Sequence, residues 1–311
     1  MRERKDLSLG LIGCGVWGRV ILRDLLSLGV RVHVIEANAE AAAEAKVQGA
    51  HQVSAELHEL GAVDGVIVAT PATTHAEVIT ALDAQGSEAP IFCEKPLADN
   101  SSGAQVLLDR EGPPLFVMHI WCFHPGVRKL KELYQQGLIG ELTQIRSARC
   151  NWTSPRRDVD TLANLAPHDL SIFQYILGEL PEPSSAMAEE IDGQVVGCTV
   201  FFKNSDGADC LLDVSNRYAK KRREVRLHGS EGVLVLPDDT AGVVQHIAAG
   251  GFIEADSTTD YVYASVSALI TELEAFLDAL ISGDFSSLCS VRGGAEVVFT
   301  IDTIRKHILG G

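Results

Sequence analysis

The chain has 311 residues, 46% hydrophobic, 22% charged and 6% aromatic; at about 150 residues per domain this predicts two folded domains and excludes disordered, collagenous and low-complexity classes. Forty-two acidic against 26 basic side chains give a formal charge of −16, a field that repels phosphate backbones and anionic lipid, so neither nucleic acid nor membrane is an expected partner. No apolar run approaches the roughly 18 residues of a membrane span, residues 1–6 are charged with no signal pattern after them, and the seven cysteines form no C-x-x-C, so the expected setting is a reducing cytoplasm without disulfides or a metal site.

Residues 7–12 read as a first strand, leading into G-C-G-V-W-G at residues 13–18 and a helix over 16–28. Gly13, Gly15 and Gly18 permit a tight turn and close backbone approach, while the helix start, with Val16 and Trp17, offers N–H groups to a pyrophosphate. A second strand, 30–35, ends at Glu36, eighteen residues past Gly18, near the ~20-residue distance at which an acid takes ribose hydroxyls. That carboxylate repels a 2′-phosphate, and Ala37 and Asn38 supply no cation to offset it, so NAD is expected over NADP.

After a helix at 39–49, the strand 63–69 ends in T-P-A-T-T-H. Ligands of open parallel sheets lie beyond the carboxyl ends of the strands, which places Thr70, Pro71 and His75 beside the cofactor; His75 equally suits a helix cap or a solvated site. A helix at 73–85 and a strand at 90–93 lead into Glu94, Lys95 and Pro96, where the lysine ammonium can sit beside a nicotinamide and polarise a substrate oxygen. With a helix at 100–108 and a strand at 115–119, the alternation predicts a Rossmann-type doubly wound parallel sheet over residues 1–122.

From residue 123 the rhythm changes. After a helix at 125–136 come strands at 141–152, 195–202, 209–215, 224–227 and 233–236, a helix inserted at 162–177, and closing helices at 261–282 and 294–309. Short turns between successive strands predict a mainly antiparallel sheet covered by helices over residues 123–311, with the C-terminal helix a candidate to pack back on the first domain. No G-x-S-x-G, H-E-x-x-H, Walker or EF-hand pattern occurs, which excludes the hydrolase and peptidase classes that need them.

In this order, G-C-G-V-W-G, A-T-P-A-T-T-H and E-K-P followed by an antiparallel-sheet domain make the chain resemble the Gfo/Idh/MocA family of NAD(P)-dependent oxidoreductases, which act mainly on sugars, inositols and nucleotide-activated sugars. Residues 125–140, running into G-L-I-G-E, and residues 215–232 are similar to the linker helix and a strand pair of that family's second domain. The resemblance implies that Lys95 binds and polarises the reacting hydroxyl and that His168, in N-L-A-P-H-D, acts as acid and base. Many members carry an aspartate four residues before that histidine; here Asn164 stands there, able to hydrogen-bond a sugar hydroxyl but not to take a proton or hold an imidazolium by charge. Asp169 lies about 100° round the helix from His168 and is a poor replacement.

Relatives also carry glycine and arginine where this chain has Met118 and Cys122. The segment instead offers His119, Trp121 and His124, which suit either substrate contact or domain packing. Arg156 and Arg157 suit a substrate phosphate or carboxylate, or a solvated turn; the basic run at 220–223 suits an exposed hairpin. The expected function is hydride transfer between NAD and a secondary hydroxyl of a sugar-like or nucleotide-sugar substrate. The alternatives are an imine or other non-sugar reductase, and a cofactor-binding sensor or assembly protein without catalysis. An antiparallel sheet with helices on one face leaves the other to cover, so a homodimer or homotetramer is expected.

Overall fold

A computed structural model describes residues 3–152, 160–205, 207–248 and 258–310. They divide into two compact units, Met1–His119 with Ser267–Val298 and Ile120–Val266 with Phe299–Gly311.

In the first unit the chain runs β1 (Ser8–Ile12), α1 (Val16–Ser27), β2 (Arg31–Ile35), α2 (Ala39–Gln48), β3 (Gln52–Ser54), β4 (Gly65–Val68), α3 (His75–Ala84), β5 (Ile91–Glu94), α4 (Ser101–Asp109) and β6 (Leu115–Met118). The strands pair in parallel in the order β6-β5-β4-β1-β2-β3. β4 and β5 are buried at every position, the pattern of a sheet covered on both faces. Asn38 caps α2 by accepting from the Ala41 N–H, and Gly49 closes it in the left-handed region.

The second unit begins with a 3-10 turn over Ile120–Phe123 and continues as α5 (Pro125–Gln135), β7 (Leu142–Trp152), α6 (Thr161–Leu177), β8 (Glu182–Ile191), β9 (Gln194–Lys203), β10 (Asp209–Ser215), β11 (Arg217–Gly229), β12 (Gly232–Leu236), β13 (Val243–Ala248) and β14 (Thr258–Val262). These strands form one sheet, β14-β13-β12-β11-β7-β10-β9-β8, antiparallel except where β10 lies parallel to β7. Helix α6 packs on one face, with the Phe173 ring 5.9 Å from that of Phe202 and near-perpendicular to it. Met187 and Phe201 on the strands β8 and β9 are 73% and 50% exposed.

The expected helix over 261–282 is corrected. Tyr261 and Val262 belong to β14, whose aromatic and branched side chains suit a strand. The helix α7 (Ala268–Ser282) starts only after Ser267, which caps it by accepting from the Ile270 N–H. Helix α7 belongs to the first unit: a Cβ at Gly65 of β4 would lie 2.8 Å from Leu280 and 3.0 Å from Phe276, and the Phe276 ring is 4.9 Å from that of Phe92. Beyond it, the two-residue strand β15 (Cys289–Ser290) pairs antiparallel with β6, and α8 (Val291–Gly310) follows.

Candidate cofactor site and catalytic residues

The glycine turn after β1 is built as its spacing requires. Gly13 has φ +87°, and a Cβ there would lie 2.9 Å from the Ala69 carbonyl at the end of β4; one at Gly18 would lie 2.3 Å from the Gly13 oxygen. Both positions are closed to any side chain by backbone contact. Gly15 differs: a Cβ there meets nothing within 4 Å, and no side chain caps α1, which begins beside it. Its first N–H groups are thus available to an anion, with the helix dipole in favour. These residues fit a dinucleotide pyrophosphate.

Glu36 reaches back to this turn. One carboxylate oxygen accepts from the Cys14 N–H at 2.6 Å and the other from the Asn38 N–H at 2.8 Å. Burial and the Glu36 charge push the Cys14 thiol up to about 11.

At the ends of β4 and β5, His75 settles among its three sequence readings as a buried staple between turns. Its Nδ1 lies 3.0 Å from the Pro96 carbonyl oxygen and its Nε2 2.9 Å from that of Thr70. Burial lowers its pKa, and a neutral imidazole donates to only one of the two; neither nitrogen is left to a ligand. Thr70 and Pro71 are held in the same turn by the Thr74 hydroxyl, at 2.9 Å and 2.8 Å.

Glu94 is buried, and burial raises its pKa against the opposing pull of Lys95 and Trp17. Its carboxylate accepts from the Lys95 backbone N–H at 2.9 Å and from the Trp17 indole N–H. Glu94 is in register with Met118, so Lys95 and His119 leave neighbouring strands side by side at the carboxyl edge. His119 is 1% exposed, its ring nitrogens hydrogen-bond to no described residue, and burial followed by the Lys95 charge lowers its pKa to about 4.

The second unit holds the other candidates. His168 and Asn164, one turn apart on α6, are both half-buried. Asp169 is fully buried and takes the Arg149 guanidinium through Nε at 2.5 Å and Nη2 at 3.2 Å, together with the Ser147 hydroxyl. The Arg149 guanidinium lies 3.9 Å over the Trp121 ring, which stacks on His124 at 5.0 Å and meets His168 edge-on at 6.4 Å. His124 is a packing residue: Nδ1 accepts from the Gly126 N–H to cap α5 and Nε2 donates to the Asp239 carbonyl, which fixes a neutral tautomer whose pKa burial lowers. Arg156 and Arg157 lie outside the described residues.

Sequence reasoning missed the Arg149–Asp169 pair. Its available signal was the period-two alternation of Ile145, Ser147 and Arg149, which puts an arginine on the helix-facing side of β7 and calls for a buried acid. Asp169→Ala leaves Arg149 buried without its carboxylate and is expected to cost about 3–5 kcal/mol, read as a lowered urea midpoint. An unchanged midpoint would contradict the buried pair.

Comparison with known proteins follows the same division. Residues 7–112 match a family described as an oxidoreductase family with an NAD-binding Rossmann fold, and residues 127–235 match the Gfo/Idh/MocA C-terminal domain. An inositol 2-dehydrogenase of Ralstonia nicotianae is 26% identical, the alignment covering 98% of this chain and 95% of that protein. Among solved structures, the UDP-N-acetylglucosamine 3-dehydrogenase GnnA of Acidithiobacillus ferrooxidans is 22% identical with a TM-score of 0.81, covering 100% of this chain and 99% of that one. A levoglucosan dehydrogenase in complex with NADH and levoglucosan is 20% identical with a TM-score of 0.81, covering 98% and 97%.

Proposed function

Because the chain belongs to the Gfo/Idh/MocA family of oxidoreductases, we propose that it is an NAD-dependent dehydrogenase or ketoreductase acting on a secondary hydroxyl of a sugar-like or nucleotide-sugar substrate. The observation that carries this is Lys95, at the same carboxyl sheet edge as an open glycine turn and beside a histidine kept neutral. The relatives named for inositol, UDP-N-acetylglucosamine and levoglucosan support a polyhydroxylated substrate over an imine.

NAD fits the turn at residues 13–18 and Glu36, and when bound its nicotinamide accepts or returns the hydride. The chain's residues supply position and proton control. The Lys95 ammonium holds the reacting oxygen and stabilises its developing negative charge. His168 takes the hydroxyl proton in oxidation and returns it in reduction. Asn164 and His119 hydrogen-bond further hydroxyls; with a pKa of about 4, His119 does so as a neutral imidazole across the physiological range. Trp121, already packed on Arg149 and His124, borders His168 on that side of the substrate.

Titration with NADH and NADPH, followed by a screen of free and nucleotide sugars at the nicotinamide absorbance band, tests the proposal. NADH binding without turnover on any of them would favour the sensor alternative. Glu36 sets the cofactor preference: Glu36→Ala combined with Ala37→Arg removes a repulsive charge and adds a phosphate partner, so relative NADPH affinity should rise. A wild type that binds NADPH more tightly than NADH overturns this assignment.

A reducing cytoplasm suits the seven free cysteines, six of them buried; among the described residues no helix is long and apolar enough to cross a membrane. We also propose a homo-oligomer, with the sheet face bearing Met187 and Phe201 as its interface. A monomeric mass by light scattering at assay concentration would exclude it.

A further inference from the structure

We propose that Trp17 is a positioning residue that ties the glycine turn to Lys95 through the Glu94 carboxylate. The inference rests on the NAD site proposed above and adds to it a link between the cofactor turn and the lysine.

Trp17 lies in the first turn of α1, which follows β1, whereas Glu94 ends β5. In the sheet β4 stands between those strands, so the two backbones leave the carboxyl edge about 10 Å apart at the usual strand spacing. The indole N–H spans that gap and donates to one Glu94 oxygen, while the other takes the Lys95 N–H at 2.9 Å. Each oxygen of a buried carboxylate has its donor, the condition under which such a group is tolerated away from water.

The indole itself stays 42% exposed, and its neighbour Val16 is 79% exposed. Core packing therefore does not account for a tryptophan here, whereas the reach of its N–H does. Three consecutive contacts then connect the parts of the site: the turn fixes Trp17, Trp17 fixes Glu94, and Glu94 fixes the backbone of Lys95. Cofactor binding at the turn and the placement of the ammonium become one structural event.

Trp17→Phe keeps an aromatic ring and deletes only the donor. It is expected to weaken NADH binding by about three- to tenfold, within the coupling range of residues in direct contact, and to lower turnover on any substrate the wild type accepts. In a Glu94→Ala background there is no acceptor to lose, so the same substitution should leave NADH affinity unchanged, a non-additive cycle that a merely apolar role of the ring would not produce.

A second measurement needs no Trp17 variant. Of the indole N–H resonances of the three tryptophans, the one assigned to Trp17 by removing the other two through Trp121→Phe and Trp152→Phe should be protected from exchange, and that protection should be lost in Glu94→Ala. Wild-type NADH affinity in Trp17→Phe, strictly multiplicative effects of the two substitutions, or an unprotected Trp17 N–H would each overturn the inference. Failure of the wild type to bind NADH would instead overturn the underlying NAD assignment.

Discussion

Lys95→Ala should lose turnover by a factor of about 10² to 10⁴ with little change in NADH affinity. The two effects separate because of where the residue's contacts lie. Its backbone N–H is bonded to Glu94 and survives the substitution; what disappears is the ammonium, the group we propose stabilises negative charge on the reacting oxygen and so acts more strongly in the transition state than in the ground state. Lys95→Arg tests placement as well as charge, since a planar guanidinium does not present its donors at the ammonium position. Loss of the cation also removes one of the two influences that hold the His119 pKa down, so it should rise, although burial, the larger cause, remains. Turnover of Lys95→Ala near the wild-type rate would remove the residue from the mechanism, and equal losses in turnover and NADH affinity would make it a cofactor ligand instead.

The parts of this molecule legible in its sequence are those set by local backbone chemistry. The glycine turn could be read because Gly13 and Gly18 each face backbone atoms that exclude a side chain, and the parallel sheet because β4 and the first three residues of β5 are continuous apolar runs. The parts that were not legible depend on register and partners far away in the chain. Strand β8 is mostly exposed at the sheet edge and carries a polar sequence, so no hydrophobic pattern announces it; β15 is two residues long. His75 suits a cofactor contact, a helix cap or a solvated site, and His124 a substrate contact or packing, because a histidine in a cleft-edge motif serves any of these. The choice falls to carbonyls of Pro96 and Thr70, which face the His75 nitrogens, and to the Asp239 carbonyl and a helix cap, which take those of His124, partners identified only once the turns are folded. Asp169 was placed correctly away from His168 by helix geometry, yet its real partner, Arg149, sits on a strand twenty residues earlier.

For His168, oxidation should rise with pH as the imidazole loses its proton, because a proton acceptor must start neutral; ketone reduction, which needs the imidazolium, should fall through the same range. The other candidate histidines do not supply this break. His119 titrates at about 4, and His124, lowered by burial, spends both nitrogens on backbone groups. Nor does Asp169 act as the charge partner that Asn164 no longer provides, since its carboxylate is taken by Arg149. Asn164→Asp restores a negative charge one helical turn from His168, which favours the imidazolium and should move the oxidation midpoint to higher pH. His168→Asn should abolish the ionisation and most of the turnover while NADH still binds. The profile is therefore measured in wild type, Asn164→Asp and His168→Asn under saturating NAD, and a midpoint common to all three with turnover retained would assign the proton to another group.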